Sequence, residues 1–130
     1  MESDRLTEDH VIRCGGWSTQ FARVRLIVQD DDVAVTIMDG NGDGAELETE
    51  CWSRGPTGWV DICSSGGMVL GIGSVLDDGA MIASVGLAVP NEIVTVRFRG
   101  AIYECKSNDL GYWGFVHRVD DLNERPHVVG

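Results

Sequence analysis

The chain alternates between short apolar runs and turn-forming clusters, and the runs have a period of two. Ala22, Val24, Leu26 and Val28 alternate with Arg23, Arg25 and Ile27, and Val33, Val35 and Ile37 with Ala34, Thr36 and Met38. Leu47, Thr49 and Cys51 alternate with Glu46, Glu48 and Glu50, and Val94, Val96 and Phe98 with Thr95, Arg97 and Arg99. Successive side chains of a strand point to opposite faces, so this spacing predicts half-buried strands. Residues 67–76 and 80–88 are apolar on both sides and predict a central hairpin buried on both faces. Residues 101–107 and 112–118 bring the expected total to about ten short strands. Turn signals separate them, at 30–32, 39–44, 54–58, 64–67, 77–79, 90–91, 99–100 and 108–111. Short strands at that spacing predict an all-β fold, an antiparallel β-sandwich, with a partly open β-barrel as the alternative. No long helical period appears. Residues 1–10 read as a polar N-terminal segment, with one short helical turn allowed over 2–12. Residues 11–119 read as a single β-domain, and 120–130, with Pro126, as an extended tail.

Composition adds to this picture mainly through charge. The 130 residues suffice for one domain with a real core, and 17 glycines agree with many tight turns. The net charge is -11 and unevenly spread. Between positions 30 and 50 stand Asp30, Asp31, Asp32, Asp39, Asp43, Glu46, Glu48 and Glu50, with no Lys or Arg. Nucleic-acid and anionic-membrane partners are disfavoured, because both are held by Lys and Arg. A basic protein partner or a cation fits better. No apolar run reaches the ~18 residues of a membrane span, and the polar start has no apolar signal core. The expected location is therefore cytoplasmic. Cys14, Cys51, Cys63 and Cys105 form no CxxC or zinc-finger spacing; their even number permits two disulfides, but a cytoplasmic location argues for free, buried thiols instead. Exposed sheet edges would permit a homo-oligomer, but nothing in the sequence specifies one.

One stretch names a chemistry. Residues 39–50 fit the EF-hand calcium loop: Asp39, Asn41 and Asp43 at ligand positions, Gly44 at the sharp turn and Glu50 at the end. Its flanks argue otherwise. Val33, Val35 and Ile37 are poor helix formers, and Pro56 limits any helix on the exit side. In an extended chain Glu50 lies about 20 Å beyond Gly44, out of reach of a shared ion. The stretch is therefore expected to be a hairpin tip and its rising strand, with Glu46, Glu48 and Glu50 on the solvent face. What remains of the resemblance is a weak Ca²⁺ candidate formed by Asp39, Asn41 and Asp43.

Two further features bear on function. Trp52 and Trp59 flank a turn and would face each other in a hairpin centred on Gly55 and Pro56, with Cys51 opposite Val60 and three places out of register with Cys63. Together with Tyr112 and Trp113 they are candidate ligand- or partner-binding residues, because flat aromatic rings give large contact area at low entropy cost. In composition and architecture this resembles calcium-containing carbohydrate-binding modules, although no motif matches. Catalytic motifs are lacking, and the nucleophilic option is Cys14 or Cys63 with His117. The function expected is non-enzymatic binding of a protein partner through an acidic or aromatic surface, as in an acidic inhibitor of a basic protein. The alternatives are a cation-assisted carbohydrate or small-ligand module and a Cys/His-dependent enzyme.

Overall fold

In the computed structural model, residues 5–129 are described. A short helix, α1 (Glu8–Cys14), precedes β1 (Arg23–Asp30), β2 (Val33–Asp39), β3 (Leu47–Gly55), β4 (Gly58–Gly66), β5 (Leu70–Leu76), β6 (Gly79–Leu87), β7 (Ile93–Phe98), β8 (Ala101–Lys106), β9 (Tyr112–Val119) and β10 (His127–Val129). The strands form three antiparallel sheets, ordered β1-β2-β3-β4, β5-β6-β9 and β10-β7-β8. The fold is all-β and sandwich-like, with no closed barrel, as the period-two pattern predicts. No helix among the described residues is long and apolar enough to cross a membrane.

The layers follow from which faces are apolar. Val33, Val35, Ile37 and Cys51 of the first sheet pack on Met81, Ala83, Val85 and Val116 of the second. The opposite face of the second sheet, with Ala80, Ile82, Trp113, Phe115 and Val119, packs on Val94, Val96 and Phe98 of the third. The outer face of the first sheet presents Ala34, Met38, Trp52 and Trp59, and it too is covered. Leu6, Val11, Ile12 and Ala22, with Trp17, lie over it. A helix of 7 residues is marginal alone. Thr7 caps it by accepting from the His10 N–H at 3.2 Å, and Glu8 accepts from the Val24 N–H at 3.0 Å, tying it to β1.

Three expectations need correction. The central hairpin is not buried throughout: β6 is, but β5 is a sheet edge with Leu70 and Val75 exposed, because only β6 has a strand on each side. The segment after position 120, expected to be only an extended tail, contains β10, which pairs with β7. The hairpin β3–β4 turns at Pro56 and Thr57, not at Gly55 and Pro56, since Gly55 pairs with Gly58. Proline suits the first central position of a turn and is disfavoured at the second. This moves the register by two. A bulge between Cys51 and Trp52, which leaves Ile62 unpaired, moves it by one more. Trp52 therefore faces Asp61, Trp59 faces Arg54, and Cys51 faces Cys63 directly.

Close packing of the second and third sheets depends on a glycine. Gly86 pairs with Trp113, and a Cβ on it would meet the indole at 2.7 Å. A rigid ring cannot yield as a flexible side chain does. Gly86→Ala is expected to cost about 1–3 kcal/mol, read from the urea midpoint. Gly55→Ala, where an added Cβ meets nothing within 4 Å, serves as the near-neutral control.

Candidate functional site

Three two-residue turns lie at one end of the sandwich: Asp31-Asp32, Pro56-Thr57 and Asp77-Asp78. The C-terminal end of β9 lies there too, since Val119 pairs with Ala80. Asp31 has a φ of +54°, a left-handed geometry that aspartate tolerates better than most residues. These turns bring Asp30, Asp31, Asp32, Asp77 and Asp78 to the end where Asp120 follows β9, and among the described residues Arg54 and Arg118 pair with acids of these turns. Arg118 bonds Asp32 at 2.9 Å and also Asp78, and Arg54 lies 3.8 Å from Asp31. Both cations are thus engaged by acids, and the end stays negative.

Between the edge strands β4 and β5 this end opens into a groove of about 530 Å³. Val60, Ile62, Val75 and Leu76 give it an apolar lining, and Asp32, Asp77, Asp78, Arg54 and Arg118 its charged rim. Val60 is 49% exposed and Val75 77%. The acidic run read from the sequence is therefore not one surface. β2 carries the chain from Asp30–Asp32 at this end to the 40–46 loop at the other. Asp77, Asp78 and Asp120, distant in sequence, take the place of Asp39–Glu50. The turn signal at 77–79 was visible, but its position beside 30–32 depends on sheet packing.

The aromatic candidates are not brought together. Trp52 is fully buried, Trp59 is 6% exposed and Trp113 4%, and Tyr112 is half-buried. Trp52 and Trp59 lie under the N-terminal layer, Trp113 faces the third sheet and Tyr112 the central core. The Trp52 indole donates to Thr36 Oγ1 at 3.0 Å. These rings serve packing, and no flat exposed platform forms from them.

Two of the calcium-loop residues, Asp39 and Asp43, accept hydrogen bonds within the loop itself. Asp39 is fully buried, and both its oxygens are used. Oδ2 accepts from Arg25 Nε at 3.0 Å and from the Gly44 N–H at 2.7 Å, and Oδ1 accepts from the Gly42 N–H at 3.0 Å. Burial alone would raise its pKa, but Arg25 and the two backbone donors together hold it below the usual carboxylate value. Asp43 accepts from the Ala45 N–H at 3.1 Å, and Asn41 and Asp43 are exposed. Among the described residues no group of three His, Cys, Asp or Glu is placed to hold a metal. Asp39 thus organises a hairpin loop. Asp39→Asn weakens the Arg25 pair and is expected to destabilise by about 1–3 kcal/mol, read by thermal melting. For the wild type, the contribution is present above the unfolded carboxylate pKa and is lost as pH falls through the lower, folded value.

Glu50 departs from expectation in the opposite sense. It is 3% exposed and sits opposite Thr36, facing the N-terminal layer instead of solvent. Burial, followed by the negative charge of Glu48, raises its pKa to about 7. Trp17 and Thr36 oppose the rise, while Glu50 Oε1 is left without a well-formed hydrogen bond. The folded protein then holds this proton more tightly than the unfolded chain. The Glu50 contribution to stability is fully present below the unfolded value of 4.5 and is lost as pH rises to about 7. Glu50→Gln is expected to flatten that decline and to gain up to about 3 kcal/mol above pH 7, measured by urea unfolding across the range.

The nucleophilic option is also redistributed. A second groove, of about 440 Å³, contains His117, Asp30, Tyr103 and Cys105. His117 Nδ1 is 3.5 Å from Asp30 Oδ2, and its ring lies 5.6 Å from Tyr103. Cys105, however, pairs with Val94, four residues along β7 from the Phe98 that touches His117. Burial raises the Cys105 pKa and keeps it a thiol. Cys14 instead meets His10, at 3.2 Å, through the nitrogen that also faces the Trp59 carbonyl at 2.8 Å. A nitrogen donating to that carbonyl cannot also take the thiol proton. No protein-family model, curated protein or solved structure matches the chain.

Proposed function

We propose that this is a non-enzymatic binding module that engages a basic protein partner through its acidic end. One observation carries the reading: an apolar groove between two sheet edges, rimmed by aspartates whose nearby arginines are already engaged. A lysine or arginine of the partner matches both parts. Its methylene stem would lie on Val60 and Val75 while its charged head met Asp77 and Asp78. The surrounding negative field would steer such a partner towards this end. We take the setting to be cytoplasmic, where any disulfide would be transient.

The reading is tested with an arginine-rich peptide as probe, titrated calorimetrically at two ionic strengths. Asp77→Asn combined with Asp78→Asn is expected to weaken binding about tenfold, or ~1.4 kcal/mol, and salt to weaken the wild type. Glu46→Lys, an exposed change at the opposite end, should leave binding nearly intact. Equal weakening by both changes would show a general charge effect and overturn the assignment.

A further inference from the structure

The register of β3 and β4 has a chemical consequence that lies apart from the groove. Cys51 and Cys63 are direct partners across the antiparallel pair, and both side chains contribute to the core between the first and second sheets. Direct antiparallel partners have Cα atoms about 4.5–5.5 Å apart, inside the span of about 4.4–6.8 Å that a disulfide needs. The two thiols are free, and they lie close enough for each to shift the other's titration. The bulge makes this possible. Without the unpaired Ile62, Cys51 would face Ile62 and Cys63 would lie on the other side of the strand.

We propose that Cys51 and Cys63 are a redox-active pair that closes to an intramolecular disulfide when a hydroperoxide reaches it. The two positions are not equivalent. Cys51 is fully buried, whereas Cys63 is half-buried on the edge strand β4. Cys63 is the thiol that solvent can reach, and its neighbour Cys51, deep in the core, is kept protonated, with Cys63 and burial both raising its pKa. Cys63 is therefore the attacking sulfur. Its thiolate takes the outer oxygen of the hydroperoxide. An S–O bond forms, the O–O bond breaks, and the leaving oxygen takes a proton to become an alcohol, or water from hydrogen peroxide. Cys51 then attacks the Cys63 sulfenic acid. The S–S bond forms, the S–O bond breaks, and the departing hydroxide takes the Cys51 proton and leaves as water. The two thiols lose two electrons in all, and the hydroperoxide gains them. Cys14 is exposed on α1, and Cys105 faces the third sheet. Neither competes for this partner.

The bond would clamp the hairpin whose arms supply Ser53, Arg54, Val60 and Ile62 to the groove, but its formation does not depend on any binding role. The folded protein is treated with hydrogen peroxide, remaining thiols are blocked, and the product is digested with trypsin without reduction. Peptides 26–54 and 55–97 each contain one cysteine of the pair. They are expected to appear joined, lighter by two hydrogen atoms than their sum, and to separate on reduction. The joined species should persist in Cys14→Ser combined with Cys105→Ser. In Cys51→Ser, dimedone should trap Cys63 as its sulfenic acid, and the joined species should vanish. The oxidised wild type should melt a few degrees higher than the reduced protein, because the link restricts the unfolded chain. Cysteines that all remain alkylatable after peroxide, or oxidation that joins only Cys14 between molecules, would overturn the proposal.

Discussion

A strand apolar on both faces has to be covered on both faces, and β2 sets that requirement for this molecule. Each of its seven residues is buried. Val33, Val35 and Ile37 require the second sheet on one side, and Ala34 and Met38 require the N-terminal layer on the other. The short helix α1 would be marginal alone, so its place is understood as a cover for the first sheet. The same logic recurs one layer on. β6 and β9 are apolar on both faces, and the third sheet covers the face turned away from β2. The stack of helix and three sheets follows from two doubly buried levels.

Polar groups trapped by this layering must be satisfied locally, and they show what burial does to a carboxylate. Asp39 and Glu50 are both buried, three rungs apart on the β2–β3 ladder. Asp39 has Arg25 and two backbone donors, so its charge is favoured. Glu50 has another carboxylate close by and an incomplete set of donors, so its proton is favoured. Desolvation acts in the same direction on both, and the hydrogen bonds decide the sign. The calcium-like spacing of 39–50 is, in this light, a loop whose first aspartate folds the chain back on itself. Gly42 and Gly44, both at positive φ, allow their N–H groups to reach it.

The strand pattern was legible because period two reports directly on which side chains face inward. Val24 to Val28, Val33 to Met38 and Val94 to Phe98 all became strands. What periodicity could not supply was the number of layers. Trp52 and Glu50 share a face that looked solvent-exposed, because the cover over it comes from Leu6, Val11 and Trp17, far back in the sequence. The β3–β4 register failed for two local reasons: the position of Pro56 within its turn, which the residues show, and a bulge, which no alternation pattern reveals. Together they turned a cysteine pair judged out of reach into direct neighbours. Cys105 entering one groove with His117, and Cys14 approaching His10, likewise depend on packing between segments distant in sequence.

The charge distribution has a physical logic that extends to the sheet edges. β4 and β5 are both edge strands, and they leave Val60 and Val75 exposed. Such an edge invites pairing with another copy of the chain. The aspartates at 31, 32, 77 and 78 stand at the ends of these edges and in the turns beside them. Two copies approaching groove to groove would bring like charges together, which costs association free energy. A cationic partner meets the same residues as attraction. On the binding role proposed above, one set of carboxylates would both disfavour self-association and favour a basic ligand.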